Sequence, residues 1–154
     1  YRFEPLDFSE LTNRVISTNS VLASKKQQKI KSSVEANILV NGDKTRLSEL
    51  IDNFLNNAIK YSPRGENITV VLEKKGEKVI LEVKDKGQGM TIEDMNNAFK
   101  RFSRLSAKPT GNEVSTGLGL WIAKEIAESH GGNVKVKSKG KDKGTIFTFE
   151  LPIF

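Results

Sequence analysis

The sequence predicts a two-layer α/β sandwich: a mixed, mostly antiparallel sheet with about three helices packed on one face. Three observations predict it. Helical and strand-like periodicities alternate along 154 residues, a length that supports one hydrophobic core rather than two. Two pairs of strand-like segments are joined by glycine-bearing connections, as antiparallel hairpins are. The strongest helical segment is apolar along one broad arc, which needs a sheet to cover it.

The elements follow in order. Residues 7–24 set Phe8, Leu11, Val15 and Leu22 at roughly helical spacing, with Asp7 as the cap. Lys29–Val34 and Ile38–Val40 read as short strands separated by the turn Glu35-Ala36-Asn37. Residues 44–61 are the strongest helix. Asn67–Glu73 and Lys78–Asp85 form a hairpin around Lys75-Gly76-Glu77. Thr91–Phe99 is a short helix that Thr91 can cap, with Asp94 three residues on. Residues 100–116 lack sustained periodicity, and Pro109 and Gly111 argue against regular structure. A helix then runs from about Gly117 to His130, closed by Gly131-Gly132. Asn133–Ser138 and Thr145–Leu151 make the last hairpin.

Composition excludes several chemistries. With no cysteine, disulfides, thiol catalysis and thiolate metal sites are out together. One histidine cannot build a multi-histidine metal centre. No stretch approaches the roughly 18 apolar residues of a membrane span, so the chain reads as soluble. A net charge of +6 suggests an anionic partner without naming it. Lys135, Lys137, Lys139, Lys141 and Lys143 are spaced strictly by two, as on a strand with one wet face. No aromatic residues interleave with them to stack bases, so they read as a solvated, edge-protecting row and not as a nucleic-acid surface. The start at Tyr1, without an initiator Met, reads as a cut from something longer.

The chemistry begins on the helix over 44–61. Advancing about 100° per residue from Leu47 gathers Leu47, Leu50, Ile51, Phe54, Leu55, Ala58 and Ile59 into one arc. Asn53, Asn57 and Lys60 fall within roughly 60° of one another on one border of that arc, and Asp52 and Asn56 project to the other. Two carboxamides and an ammonium on a half-sheltered stripe suit a metal-bound polyphosphate. An Asn carbonyl can enter the oxygen shell of Mg²⁺, and a lysine offsets phosphate charge. A merely polar helix edge has the same pattern, so this helix alone leaves both readings open.

Two glycine segments favour the site. Asp85-Lys86-Gly87-Gln88-Gly89 follows a strand, and Gly117-Leu118-Gly119-Leu120 opens a helix. Glycine lets backbone approach a ligand, and a helix N-terminus offers free N–H groups to phosphate. An Asp at a strand end can accept a hydrogen bond from an exocyclic amine such as that of adenine. Neither segment is a GxxxxGK-Ser/Thr loop, and Ile92 and Ile122 stand where GxGxxG needs its last glycine.

In order, these segments resemble the ATP-binding catalytic domain of sensor histidine kinases, with the Bergerat-type fold shared by type II topoisomerases, mismatch-repair ATPases and the heat-shock chaperone ATPase. The likeness runs from about Leu6 to Pro152. Residues 52–63 (DNFLNNAIKYSP) resemble the kinase N box and Asp85–Met90 the first glycine box. Phe99–Arg104 resembles the F box and Thr116–Leu120 the second glycine box. The ending His130-Gly131-Gly132, followed by Gly144-Thr145-Ile146-Phe147, is also typical of the family.

The resemblance implies roles. Asn57 ligates Mg²⁺, with Asn53 beside it on the phosphate side. Lys60 contacts the phosphate tail, and Tyr61 packs near adenine. Asp85 reads the adenine amino group, helped by Thr145, while Gly87 and Gly89 let the chain pass the base. Residues 100–116 form an ATP lid, with Arg101 and Arg104 as cations near it. Backbone N–H groups around Thr116, Gly117, Leu118, Gly119 and Leu120 hold the triphosphate. Phe99 and Phe102 anchor the lid or dock a partner helix rather than touch nucleotide. Two positions depart from the pattern: Ser115 replaces a glycine common before Gly117, and Lys86 replaces a common Asn.

The family's hydrolases carry a glutamate one turn before the metal-binding Asn, as a general base for water. That position is Asn53 here, which cannot take a proton. The resemblance therefore implies a kinase, with transfer of the γ-phosphoryl group of ATP to a histidine in two-component signalling. The acceptor lies on separate dimerisation and phosphotransfer helices, with residues 1–6 as linker from them and a response regulator further downstream. His130, just before two glycines, reads as a structural helix end. The single domain over 1–154 is expected to be cytoplasmic and monomeric, whether or not the parent protein is membrane-anchored. Two alternatives remain: a nucleotide-binding regulatory module without catalysis, and a serine kinase of the anti-sigma-factor type.

Overall fold

Sequence periodicity becomes structure almost element for element in the computed structural model, which describes residues 1–102 and 118–153. The order is β1 (Glu4–Asp7), α1 (Phe8–Ser24), β2 (Lys29–Val34), β3 (Leu39–Gly42), α2 (Lys44–Tyr61), β4 (Asn67–Lys75) and β5 (Lys78–Asp85). Then come α3 (Ile92–Asn97), α4 (Gly119–Ser129), β6 (Asn133–Lys137) and β7 (Thr145–Pro152). Five strands form one sheet in the order β2-β4-β5-β7-β6. Only β2 and β4 are parallel.

The core sits between that sheet and the helices. Period two buries Ile68, Val70 and Leu72 of β4, Val79, Leu81 and Val83 of β5, and Phe147, Phe149 and Leu151 of β7. The register sets Val70 opposite Val83, and Val83 opposite Phe147, so these side chains form one apolar surface across three strands. Against it lies α2, whose seven apolar residues from the helical wheel are the seven it buries. Phe54 meets Phe147 at 5.5 Å between ring centroids. Helices α1 and α4 flank α2, and α1 contributes Phe8, edge-on to Phe149 at 6.1 Å.

The helix ends are fixed as the sequence implies. Asp7 caps α1 by accepting from the Glu10 N–H at 3.0 Å. Thr91 and Asp94 form a reciprocal capping box at α3, with bonds of 3.0 and 3.2 Å. His130 closes α4 with its Nδ1 2.8 Å from the Ile126 carbonyl, while its Nε2 accepts the Asp43 N–H at 3.0 Å. That pair of bonds selects the Nδ1–H tautomer. Since Asp43 caps α2 through the Arg46 N–H, the imidazole ties the end of one helix to the start of another.

Two features differ from the sequence reading. Leu6 and its neighbours pair with β3 in a separate antiparallel ribbon, Glu4 opposite Gly42 and Leu6 opposite Val40. The segment read as a linker thus gives its last three residues to a strand. Four residues, one of them proline, carry no period-two signal, and the partner strand lies far along the chain. The lysine row also splits. β6 ends at Lys137, and Lys139, Lys141 and Lys143 lie in a loop with positive φ at Gly140, Asp142 and Gly144. Lys135 does guard the edge strand, donating to Glu150 at 3.0 Å. Among the described residues no helix is long and apolar enough to cross a membrane.

Candidate functional site

Helix α2 presents two polar borders that do different things. On one, Asp52 accepts from Asn19 of α1 at 2.8 Å and from Asn56 at 3.3 Å. These groups join helices and satisfy one another. On the other border, the buried amide nitrogen of Asn53 has no hydrogen-bond partner among the described residues. A buried donor without an acceptor costs on the order of 1–3 kcal/mol. The Asn53 carboxamide faces the first turn of α4: a Cβ placed on Gly119 would lie 3.7 Å from Asn53 Oδ1.

One turn further, Asn57 lines a cleft together with Tyr61, Asp85, Gln88, Gly89, Met90, Thr145 and Phe147. Asp85 ends β5 directly opposite Thr145 of β7. It is only 6% exposed, and desolvation pushes its pKa up to about 6, against hydrogen bonds from the Gly87 and Thr145 backbone that lower it. The Gly87 N–H donates to Asp85 Oδ1 at 2.9 Å. Gly87 is needed sterically, since a Cβ there would stand 2.5 Å from the Tyr61 carbonyl oxygen. The first glycine segment therefore packs on the end of α2, and only glycine permits that approach.

The structure thus brings Asn57, Tyr61, Asp85, Gly89 and Thr145 to one cleft, with Gly87 packed against the Tyr61 carbonyl beside it. It brings Asn53 to Gly119 of the second glycine segment. Lys60, half-buried in the last turn of α2, is not among the residues lining the cleft. Among the described residues no side-chain hydrogen bond caps α4, and Gly119 and Leu120 stand at the N–H-rich end of that helix. The Arg101 guanidinium is stacked between the Phe102 and Trp121 rings, 4.9 and 5.1 Å from their centroids. Phe99 anchors beneath the cleft, edge-on to Phe147 at 6.2 Å. Arg104, Ser115, Thr116 and Gly117, with most of the expected lid over 100–116, lie outside the described residues.

Two supports of the site were not foreseen. Lys26 Nζ donates to the Ile59 and Lys60 carbonyls at 2.8 and 3.4 Å. Gln28 Nε2 reaches the Ile59, Ser62 and Pro63 carbonyls at 3.2, 3.0 and 3.3 Å. Together they cap the end of α2 that carries Tyr61. Nothing in the composition of the α1–β2 turn signals this. The other support is the 138–144 loop, which lies over the first glycine segment. Its glycines at 140 and 144 are turn signals that the even lysine spacing masked.

A sheet covered by helices on one face, with an amide-bearing helix that meets one glycine segment at a cleft and faces Gly119 of the other, defines a Bergerat-type nucleotide-binding class. The sequence profile described as histidine kinase-, DNA gyrase B-, and HSP90-like ATPase matches residues 42–154, and the chain belongs to that family. Among curated proteins it is 38% identical over 146 residues to the sensor protein KdpD of Clostridium acetobutylicum, covering 93% of this chain and 16% of that protein. It is 33% identical over 147 residues to the sensor-like histidine kinase SenX3 of Mycobacterium bovis, covering 96% of this chain and 36% of that one. The chain therefore spans about a third or less of the relatives it matches. Among solved structures, the mycobacterial sensor histidine kinase MprB superposes with a TM-score of 0.87 at 28% identity, covering 97% of both chains. Full-length ShkA in complex with AMPPNP gives a TM-score of 0.81 at 27% identity, covering 97% of this chain and 31% of that one.

Proposed function

We propose that this chain binds Mg²⁺-ATP in the cleft between α2 and the first glycine segment and donates the γ-phosphoryl group to a histidine on separate helices. It is then the catalytic domain of a protein-histidine kinase in two-component signalling. The observation that carries the reading is the convergence of Asn57 and Asp85 on one cleft while Asn53 faces Gly119.

The residues fit the ligand. The orphaned Asn53 amide is a donor that phosphate oxygen satisfies. The Asn57 carbonyl is a hard oxygen ligand suited to Mg²⁺, which takes its remaining ligands from water and phosphate. When bound, the ion offsets charge on the phosphates during transfer. Asp85, beside Thr145, accepts from the adenine amine, and Gly87 and Gly89 admit the base next to Tyr61. Lys60, with Arg101 and Arg104, contributes cationic charge, and the backbone from Thr116 to Leu120 holds the triphosphate. With Asn53 where a general base would stand, water is not activated, so transfer to another nucleophile outruns hydrolysis.

His130 is not that nucleophile, because both ring nitrogens are engaged in holding helix ends. The acceptor belongs to dimerisation helices outside this cytoplasmic domain, with residues 1–3 leading from them to β1 and a response regulator receiving the phosphoryl group next. The domain alone is a monomer that binds ATP or ADP. The test mixes it with a separately prepared histidine-bearing helical hairpin and γ-labelled ATP. Acid-labile label on the hairpin supports the kinase. Acid-stable label points to a serine kinase, and ATP binding without transfer points to a regulatory module; either overturns it.

A further inference from the structure

The first glycine segment is held from above by the 138–144 loop, and one hydroxyl organises that loop. Ser138 Oγ accepts the Met90 N–H at 3.0 Å and the Gly140 N–H at 3.3 Å. Its own proton reaches the Gly144 carbonyl at 2.7 Å, with the Gly140 carbonyl at 3.2 Å as the alternative. Gly144 in turn donates to the Gly87 carbonyl at 3.2 Å, and Asp142 donates to the Gln88 carbonyl at 2.7 Å. Gly87 then donates to Asp85 Oδ1 at 2.9 Å. The contacts admit no side chain: a Cβ on Gly89, at φ +69°, would collide with the Gly140 carbonyl, and one on Gly144, at φ +75°, with that of Asp85.

A continuous series of hydrogen bonds thus runs from Ser138 through Gly144 and Gly87 to the Asp85 carboxylate. We propose that Ser138 is a positioning residue for base recognition: its hydroxyl fixes the loop that sets the path of the first glycine segment and the aim of Asp85. The proposal rests on the reading of this cleft as an ATP site. Ser138 touches no nucleotide. It acts only on the group that reads the exocyclic amine, so its loss blurs discrimination between bases more than it weakens the grip on the triphosphate.

Calorimetry of this 154-residue chain with Mg²⁺ and either ATP or inosine triphosphate, which carries a keto oxygen in place of the amine, makes the test. Wild type is expected to prefer ATP. Ser138→Ala is expected to lose about tenfold in ATP affinity, the worth of one or two hydrogen bonds, and less than about twofold for inosine triphosphate. Ser138→Thr, which keeps the oxygen, restores the preference. If the alanine variant fails to fold by circular dichroism, Ser138→Cys, nearly the same size but a weak acceptor, carries the same comparison. Equal losses for both nucleotides, or unchanged ATP affinity, overturn the proposal. Absence of ATP binding by wild type overturns the underlying reading instead, which keeps the two failures apart.

Discussion

At residue scale, the two borders of α2 make opposite predictions for adjacent, chemically identical side chains. Asn57→Ala should abolish Mg²⁺-ATP binding in calorimetry, whereas Asn56→Ala should bind normally, since Asn56 only steadies Asp52. Equal losses would show that the polar stripe is not what grips nucleotide. Asp85 predicts a pH dependence. Its folded pKa, about 6, lies above its ordinary 3.8, so the folded protein holds that proton more tightly than the unfolded chain does. The resulting stability is complete below about 3.8 and is lost as pH rises through about 6, by about 3 kcal/mol at most. Binding runs the other way: protonation replaces the charged acceptor with a weaker neutral one, so ATP affinity should fall as pH drops below about 6. Asp85→Asn should flatten both profiles in denaturation and calorimetry between pH 4 and 7.

At the scale of elements, the end of α2 depends on the turn before β2. Lys26→Met removes a buried ammonium that caps the Ile59 and Lys60 carbonyls. It should lower stability by about 1–3 kcal/mol, a fall of roughly 5 °C in Tm by calorimetric scanning. Lys26→Arg, able to reach the same acceptors, should recover part of it. What was legible in the sequence divides along the same line. The arc of α2 and its two borders were readable because helical period alone assigns faces, and Thr91 with Asp94 because a capping box is local. Lys26, Gln28 and the β1–β3 ribbon were not, because each gains its meaning from a partner thirty or more residues away. The lysine row is ambiguous for another reason: its even spacing continues past the end of β6 and imitates a strand until Gly140 and Gly144 turn the chain.

For the whole molecule, the separation of donor site from acceptor histidine predicts inactivity in isolation. The domain should sediment as a 17.1 kDa monomer and acquire no label of its own from γ-labelled ATP; either a dimer or self-labelling would count against the division of labour proposed above. Helices α2 and α4 meet where Asn53 faces Gly119. His130 pins the foot of α4 to the head of α2. With α4 a lever roughly 16 Å long, a swing of only about 4° shifts its free tip by about 1 Å. If the proposed site is right, a joint at that end would turn a small rotation of α4 into an ångström-scale shift beside Asn53.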